Sequence, residues 1–212
     1  MTIISRKPIV RAEVEASLET YQSGGISSLL QELDERLLQV KVRFPLLEYA
    51  TELLYKSLND EVQIPFLDRI SVLKREGGNV ILGKMLQLRL NEHYEESLSK
   101  AAEYIAEGKA WFVSDLIGER LFGVALLSFP EKSLKELDKL KQHPSHWVLR
   151  ALGAGSHYAV KKGLEKDWVE KLFQFLLSMA THKDREVRRG IGWAAKTTAR
   201  FHPEIIERYE AK

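Results

Sequence analysis

Four cations and an indole share one face of a helix that the sequence writes between Asp184 and Phe201, DREVRRGIGWAAKTTARF. Arg185, Arg189, Trp193, Lys196 and Arg200 are spaced four, four, three and four, the intervals that keep side chains on one side. Such a face suits a polyanion. It equally suits an ordinary solvated surface with Trp193 wedged against a neighbouring helix. Val187, Ile191, Ala194 and Thr198 form a second stripe that can pack inward. Two other stretches carry groups able to do chemistry. Asp115 follows Trp111 by one turn at the start of a helix, where the helix dipole would help keep the carboxylate ionised. The plain alternative is a capping carboxylate beside a core Trp. In His146-Trp147-Val148-Leu149-Arg150, Trp147 and Arg150 are neighbours on one helix face. A guanidinium there can clamp a phosphate or pair with a nearby carboxylate.

The common enzyme signatures are missing. Gly77-Gly78-Asn79 lacks the Gly-Lys of a phosphate loop, and no HExxH is present. His143 and His146 stand three apart beside a Pro turn, but no nearby carboxylate set completes a metal site, so no metal and no cofactor is expected. Gly153-Ala154-Gly155-Ser156-His157 lies inside a helix and not after a strand, so its small residues read as a close helix contact and not as a nucleophile elbow. With no cysteine there is no disulfide, thiolate nucleophile or Cys-based zinc site.

The elements that must position these groups are helices almost throughout. The expected set is Ile9–Gln22, a second from Ser27 or Ser28 to Val40, Phe44–Leu58, Glu61–Arg75 ended by Gly77-Gly78, Asn79–Leu90 and Glu92–Glu107. Trp111–Ser128, Lys132–Gln142, a helix from Ser145 to Lys162 closed by Gly163, Asp167–Thr181, the helix from Asp184 and a short one from Pro203 complete it. Connections this short make neighbours antiparallel. The expectation is an all-α fold, an α-α superhelix of about six HEAT-like helix pairs with a concave face. The alternative is an irregular helical bundle. The 212 residues are read as a single domain, with residues 1–80 less clearly defined.

A hydrophobic share of 44% and a charged share of 29% describe a globular protein. No apolar run approaches the roughly 18 residues of a membrane helix, and no signal peptide is visible, which makes a cytoplasmic address the default. Charge is divided unevenly: residues 1–131 hold 15 Lys/Arg and 20 Asp/Glu, residues 132–212 hold 17 and 10. The basic second part hints at an anionic partner.

Three motifs in order carry a resemblance to the DNA alkylation repair glycosylases of the AlkD-like, HEAT-repeat type. Trp111 and Asp115 resemble the family's Trp-Asp-x-Val-Asp element, with Phe112 in place of the inner Asp and Ser114 in place of the Val. Trp147-x-x-Arg150 resembles the element whose Arg holds DNA backbone. Val187-Arg188-Arg189-Gly190-Ile191-Gly192-Trp193-Ala194 resembles the closing Ile-Arg-Lys-Ala-Ile-Gly-Trp segment. The resemblance spans about residues 80 to 210. It implies excision of cationic N3- or N7-alkylated purines from double-stranded DNA, with no membrane and no obligate protein partner. Asp115 would stabilise the oxocarbenium sugar and orient water, and Trp111 and Trp193 would wall the lesion site. Arg150 would hold a phosphate near the damaged nucleotide. Arg189, Lys196 and Arg200, placed by helix spacing, would contact further phosphates. The alternative expectation is a non-catalytic HEAT-like module that binds structured DNA or a protein.

Overall fold

Val187, Ile191, Ala194 and Thr198 are buried, while Arg185, Arg189, Lys196 and Arg200 are exposed, so the two-sided helix forms as its spacing requires. It spans Arg185–Phe201 and starts at Asp184, whose carboxylate accepts from the backbone N–H groups of Glu186 (2.7 Å) and Val187 (3.3 Å). Burial opposes ionisation of Asp184, but those two N–H donors hold it below its usual range.

The computed structural model describes residues 3–210 and is all-α apart from two paired two-residue strands, Ile3–Ile4 and Lys41–Val42. It divides into two compact units, Met1–Asn91 and Glu92–Lys212. The first holds α1 (Lys7–Leu33), a π-helical turn (Asp34–Leu38), α2 (Phe44–Ser57), α3 (Asp60–Val72) and α4 (Glu76–Leu88). The second holds α5 (Tyr94–Gly108), α6 (Trp111–Arg120), α7 (Phe122–Ser128), α8 (Pro130–Leu140), α9 (His146–Lys161), α10 (Lys166–Leu177), α11 (Arg185–Phe201) and α12 (Pro203–Glu210).

Several expected boundaries shift for identifiable reasons. The two first helices are both present and abut directly at a kink at Gly25, whose φ of 65° no ordinary helical residue adopts, so no loop separates them. Gly77 and Gly78 do not end a helix; they lie in the first turn of α4. A side chain at Gly77 would come within 3.0 Å of Leu47, and one at Gly78 within 3.3 Å of Ile70, so these glycines serve packing. The preceding helix stops at Val72, with Lys74 in the left-handed region. The expected helix 111–128 is broken at Leu121 into α6 and α7. The break falls between Gly118 and Gly123, both of which press on α9.

In the second unit α9 is the central helix. Twelve of its sixteen residues are buried, including Val148, Leu152 and Val160, so it is apolar on nearly every side. It packs against α6 and α7 on one flank and α11 on the other, while α8 meets α10. Each fully buried Leu or Val here contributes about 1.5–3 kcal/mol. The α9–α11 seam is a ladder read in the same order on both helices: Arg150 with Glu186, Gly153 with Gly190, His157 with Trp193. Helices whose partners ascend together run parallel. The seam with α6 and α7 ascends likewise, from Asp115–Arg150 through Gly118–Ala151 to Gly123–Tyr158. Packing of alternate helices in parallel is what a helical-hairpin repeat produces.

Candidate functional site

The glycines of this seam bring backbones together, and the ion cluster follows from that. A Cβ at Gly153 would lie 2.2 Å from the Gly190 carbonyl carbon, and one at Gly190 would lie 2.5 Å from the Arg150 carbonyl oxygen. A Cβ at Gly118 would lie 2.7 Å from the Ala151 carbonyl oxygen. Residues one turn from these contacts therefore reach across both seams.

Arg150 stands at the junction. Its Nε donates to Asp115 Oδ1 at 2.9 Å and its Nη2 to Asp115 Oδ2 at 2.7 Å, a bidentate fork. Its Nη1 donates to Glu186 Oε2 at 2.9 Å. The other oxygen of Glu186 accepts from Arg189 Nη1 at 2.5 Å. The order Asp115–Arg150–Glu186–Arg189 alternates in sign. The guanidinium of Arg150 is buried and Asp115 nearly so, with side chains 10% and 14% exposed.

Burial pushes Asp115 above the usual carboxylate range; the hydrogen bonds and charge of Arg150 pull it back, and Glu186 pushes it up again. With both oxygens in a guanidinium fork, Asp115 is an anion at neutral pH. It is the fifth residue of α6, beyond the first turn in which the helix dipole acts, so Arg150 and not the dipole is what holds its charge. Each of its oxygens keeps a lone pair for another donor.

Trp111, the first residue of α6, is 58% exposed. Its ring centroid lies 6.0 Å from the Arg150 guanidinium carbon and it meets Phe112 edge to face at 5.9 Å. Trp111, Asp115, Arg150 and Arg189 thus belong to one cluster. Ser114, in the same element, is buried and bonds the Ala110 carbonyl at 3.3 Å.

Trp193 stands two turns along α11 from Glu186, about 10 Å by helical rise. It lies against His157 of α9, the rings stacked 3.9 Å apart at 22°. His157 Nδ1 is 2.6 Å from Thr197 Oγ1, which donates to the Trp193 carbonyl at 3.0 Å. Burial and the charge of Lys161 depress His157 below its ordinary range, so the imidazole beneath Trp193 is neutral at neutral pH. Trp193 therefore has one face covered by protein. Lys196 and Arg200 are exposed and have no ion pair among the described residues; Arg200 lies 5.6 Å from the Phe201 ring.

Trp147 is half-buried with its ring 4.5 Å from that of His146, and His143 Nδ1 accepts the Ser145 N–H at 3.1 Å as part of the turn. Among the described residues no three His, Asp or Glu side chains are grouped to hold a metal ion. No helix described is long and apolar enough to cross a membrane.

Two members of the site escaped the sequence. Glu186 precedes Arg189 by three, on the basic face, and that spacing is the one signal for it. His157 was visible only as part of a small-residue run. Charge also divides differently once the units are known: residues 1–91 hold twelve cations and twelve anions, so the acidic excess of the first 131 residues falls within 92–131.

A family model described as DNA alkylation repair enzyme matches residues 80–212. A search of curated proteins and a search of solved structures each returned no match.

Proposed function

The chain belongs to the DNA alkylation repair enzyme family, and from that premise we propose that it binds alkylated double-stranded DNA and hydrolyses the N-glycosidic bond of N3- or N7-alkylated purines. The observation that carries this reading is Asp115, a carboxylate held by both oxygens in the Arg150 fork beside the exposed Trp111. Alkylation at N3 or N7 makes the purine cationic and a good leaving group. The face of Trp111 attracts such a base by about 0.5–2 kcal/mol. As the C1′–N9 bond opens, the sugar becomes an oxocarbenium ion, and the negative charge of Asp115 stabilises it. A free lone pair of Asp115 accepts a proton of the attacking water as that water adds to C1′. The base leaves neutral.

Arg150 serves this chemistry first by orienting Asp115, and its Nη1 edge, bonded to Glu186 in the free protein, would hold a backbone phosphate near the damaged nucleotide. Trp193, backed on one face by His157, is a second wall. Arg189, Lys196 and Arg200 contact further phosphates, so affinity falls steeply with salt. The test is incubation with methylated duplex DNA and identification of any released base. Release of 3-methyl- or 7-methylpurine by the wild type, cut about 100-fold or more by Asp115→Asn, supports the reading. Equal release by both proteins overturns it.

One second reading has its own observation. Phe112 and Ser114 stand where the related element carries Asp and Val, and both are taken up in local packing. DNA binding without base release would establish a non-catalytic, DNA-binding member.

A further inference from the structure

Arg150 has two hydrogen-bonding edges, and they are used unequally. The Nε–Nη2 edge is locked in the fork with Asp115, whose side chain is 14% exposed. The Nη1 edge makes one bond, to Glu186, whose side chain is 22% exposed. The partner on the far side of Glu186, Arg189, is half exposed at 51%. Glu186 thus presents two oxygens, each to a different guanidinium, as the two non-bridging oxygens of a phosphate diester would. It sits in the first turn of α11, where the N–H groups of Glu186 and Val187 are already capped by Asp184, and its carboxylate is held by the two arginines.

The energetics make this carboxylate replaceable. The Glu186–Arg189 contact is an exposed pair three residues apart on one helix, of the kind worth well under 1 kcal/mol. Glu186 ends a flexible side chain, whereas Asp115 is short and nearly buried. An anion approaching from solvent meets the Glu186 side of Arg150 and leaves the fork untouched. The four charges also sum to zero, so the cluster attracts DNA weakly until Glu186 moves aside.

We propose that Arg150 and Arg189 form a two-arginine clamp for a backbone phosphate diester, and that Glu186 is its built-in occupant, displaced when DNA docks. The inference rests on the DNA-binding reading above and adds to it the residue that sets the threshold for docking. Displacement turns one internal contact into a phosphate contact. It moves the two guanidiniums from a protein carboxylate to DNA while Asp115 stays positioned. Weak, non-specific encounters fail to dislodge Glu186, which favours duplex that fits the face well.

The test uses the full chain and a methylated duplex, with affinity measured across a salt series. Glu186→Gln keeps the shape and removes the charge. It is expected to bind about 5–10-fold more tightly at low salt, with the slope of log affinity against log salt changed little or steepened by up to about one unit, and to release base at an unchanged rate once DNA is saturating. Glu186→Gln combined with Arg189→Gln returns affinity to the wild-type range. Circular dichroism melts establish that both variants are folded. Unchanged or weaker binding by a folded Glu186→Gln protein overturns the inference while leaving the DNA reading in place. A lower rate at saturation overturns it also, and makes Glu186 a positioning residue for Arg150. If the wild type binds no duplex even at low salt, the inference falls together with the reading beneath it.

Discussion

Replacing Gly153 with Ala tests whether the ion cluster depends on the approach of two backbones. The new Cβ would sit 2.2 Å from the Gly190 carbonyl carbon, 2.4 Å from its oxygen and 2.7 Å from Ile191 N. All three are main-chain atoms inside α11 and cannot rotate aside. Ordinary contact begins near 3.4 Å, so α11 must withdraw by about 1.2 Å. Overpacking of this kind costs about 3 kcal/mol, and the gain in helix propensity from Gly to Ala offsets about 1 of that. The net loss of about 2 kcal/mol lowers Tm by about 4–8 °C in a chain of this length. Gly153 lies one turn from Arg150 and Gly190 one turn from Glu186, so the same displacement stretches the Arg150–Glu186 bond beyond hydrogen-bonding range. Trp193 moves with α11 while the Asp115–Arg150 fork stays in place, and a shift of about 1 Å between parts of a catalytic arrangement costs on the order of 100-fold in rate. The assay pairs thermal melts by far-UV circular dichroism with base release from methylated DNA. Gly192→Ala is the control, because its Cβ meets nothing within 4 Å and should raise Tm by about 2–4 °C. A Gly153→Ala protein that melts at or above the wild type refutes the argument.

Three further outcomes follow from the same geometry. Base release should need Asp115 ionised, and burial raises its folded pKa, so the acidic limb of the rate profile lies above the ordinary aspartate value of about 3.9. That limb should be missing from the residual activity of Asp115→Asn. Arg150→Leu strands Asp115 and Glu186 without their shared cation and should cost about 3 kcal/mol in a denaturant titration; a loss below 1 kcal/mol would show the pair to be structurally idle. His157 has a folded pKa below its unfolded value of about 6.5, so its contribution to stability is complete above pH 6.5 and is lost as pH falls toward the folded value. The Tm gap between wild type and His157→Gln should therefore narrow from pH 7.5 to 5.5, and an unchanged gap would count against a buried neutral imidazole.

Helix type and facing were legible in the sequence because they depend on near neighbours. The 3.6-residue period sorted α11 into a buried stripe and a cationic one, and Asp184, Gly25 and Gly163 marked real punctuation. Gly77-Gly78 misled for the same reason: locally it looks like a stop, and only the approach of Leu47 and Ile70 explains glycine inside a helix. The break at Leu121 was likewise invisible, since nothing in 111–128 shows that α9 lies alongside.

For the site, the sequence by itself determined which residues could do chemistry: the carboxylate at Asp115, the guanidinium at Arg150, the indoles at Trp111 and Trp193, and the cations of α11. It left open whether Arg150 meets a phosphate or a carboxylate. Only the tertiary structure decided that Arg150 turns both edges to carboxylates, 35 and 36 residues away in the chain. It also decided that a neutral His157 backs Trp193. The reason is physical. A helix face is set by φ, ψ and a period that neighbouring residues share, whereas an ion pair depends on the distance between backbones. That distance is set here by glycines on three separate helices, whose effect appears only when they meet.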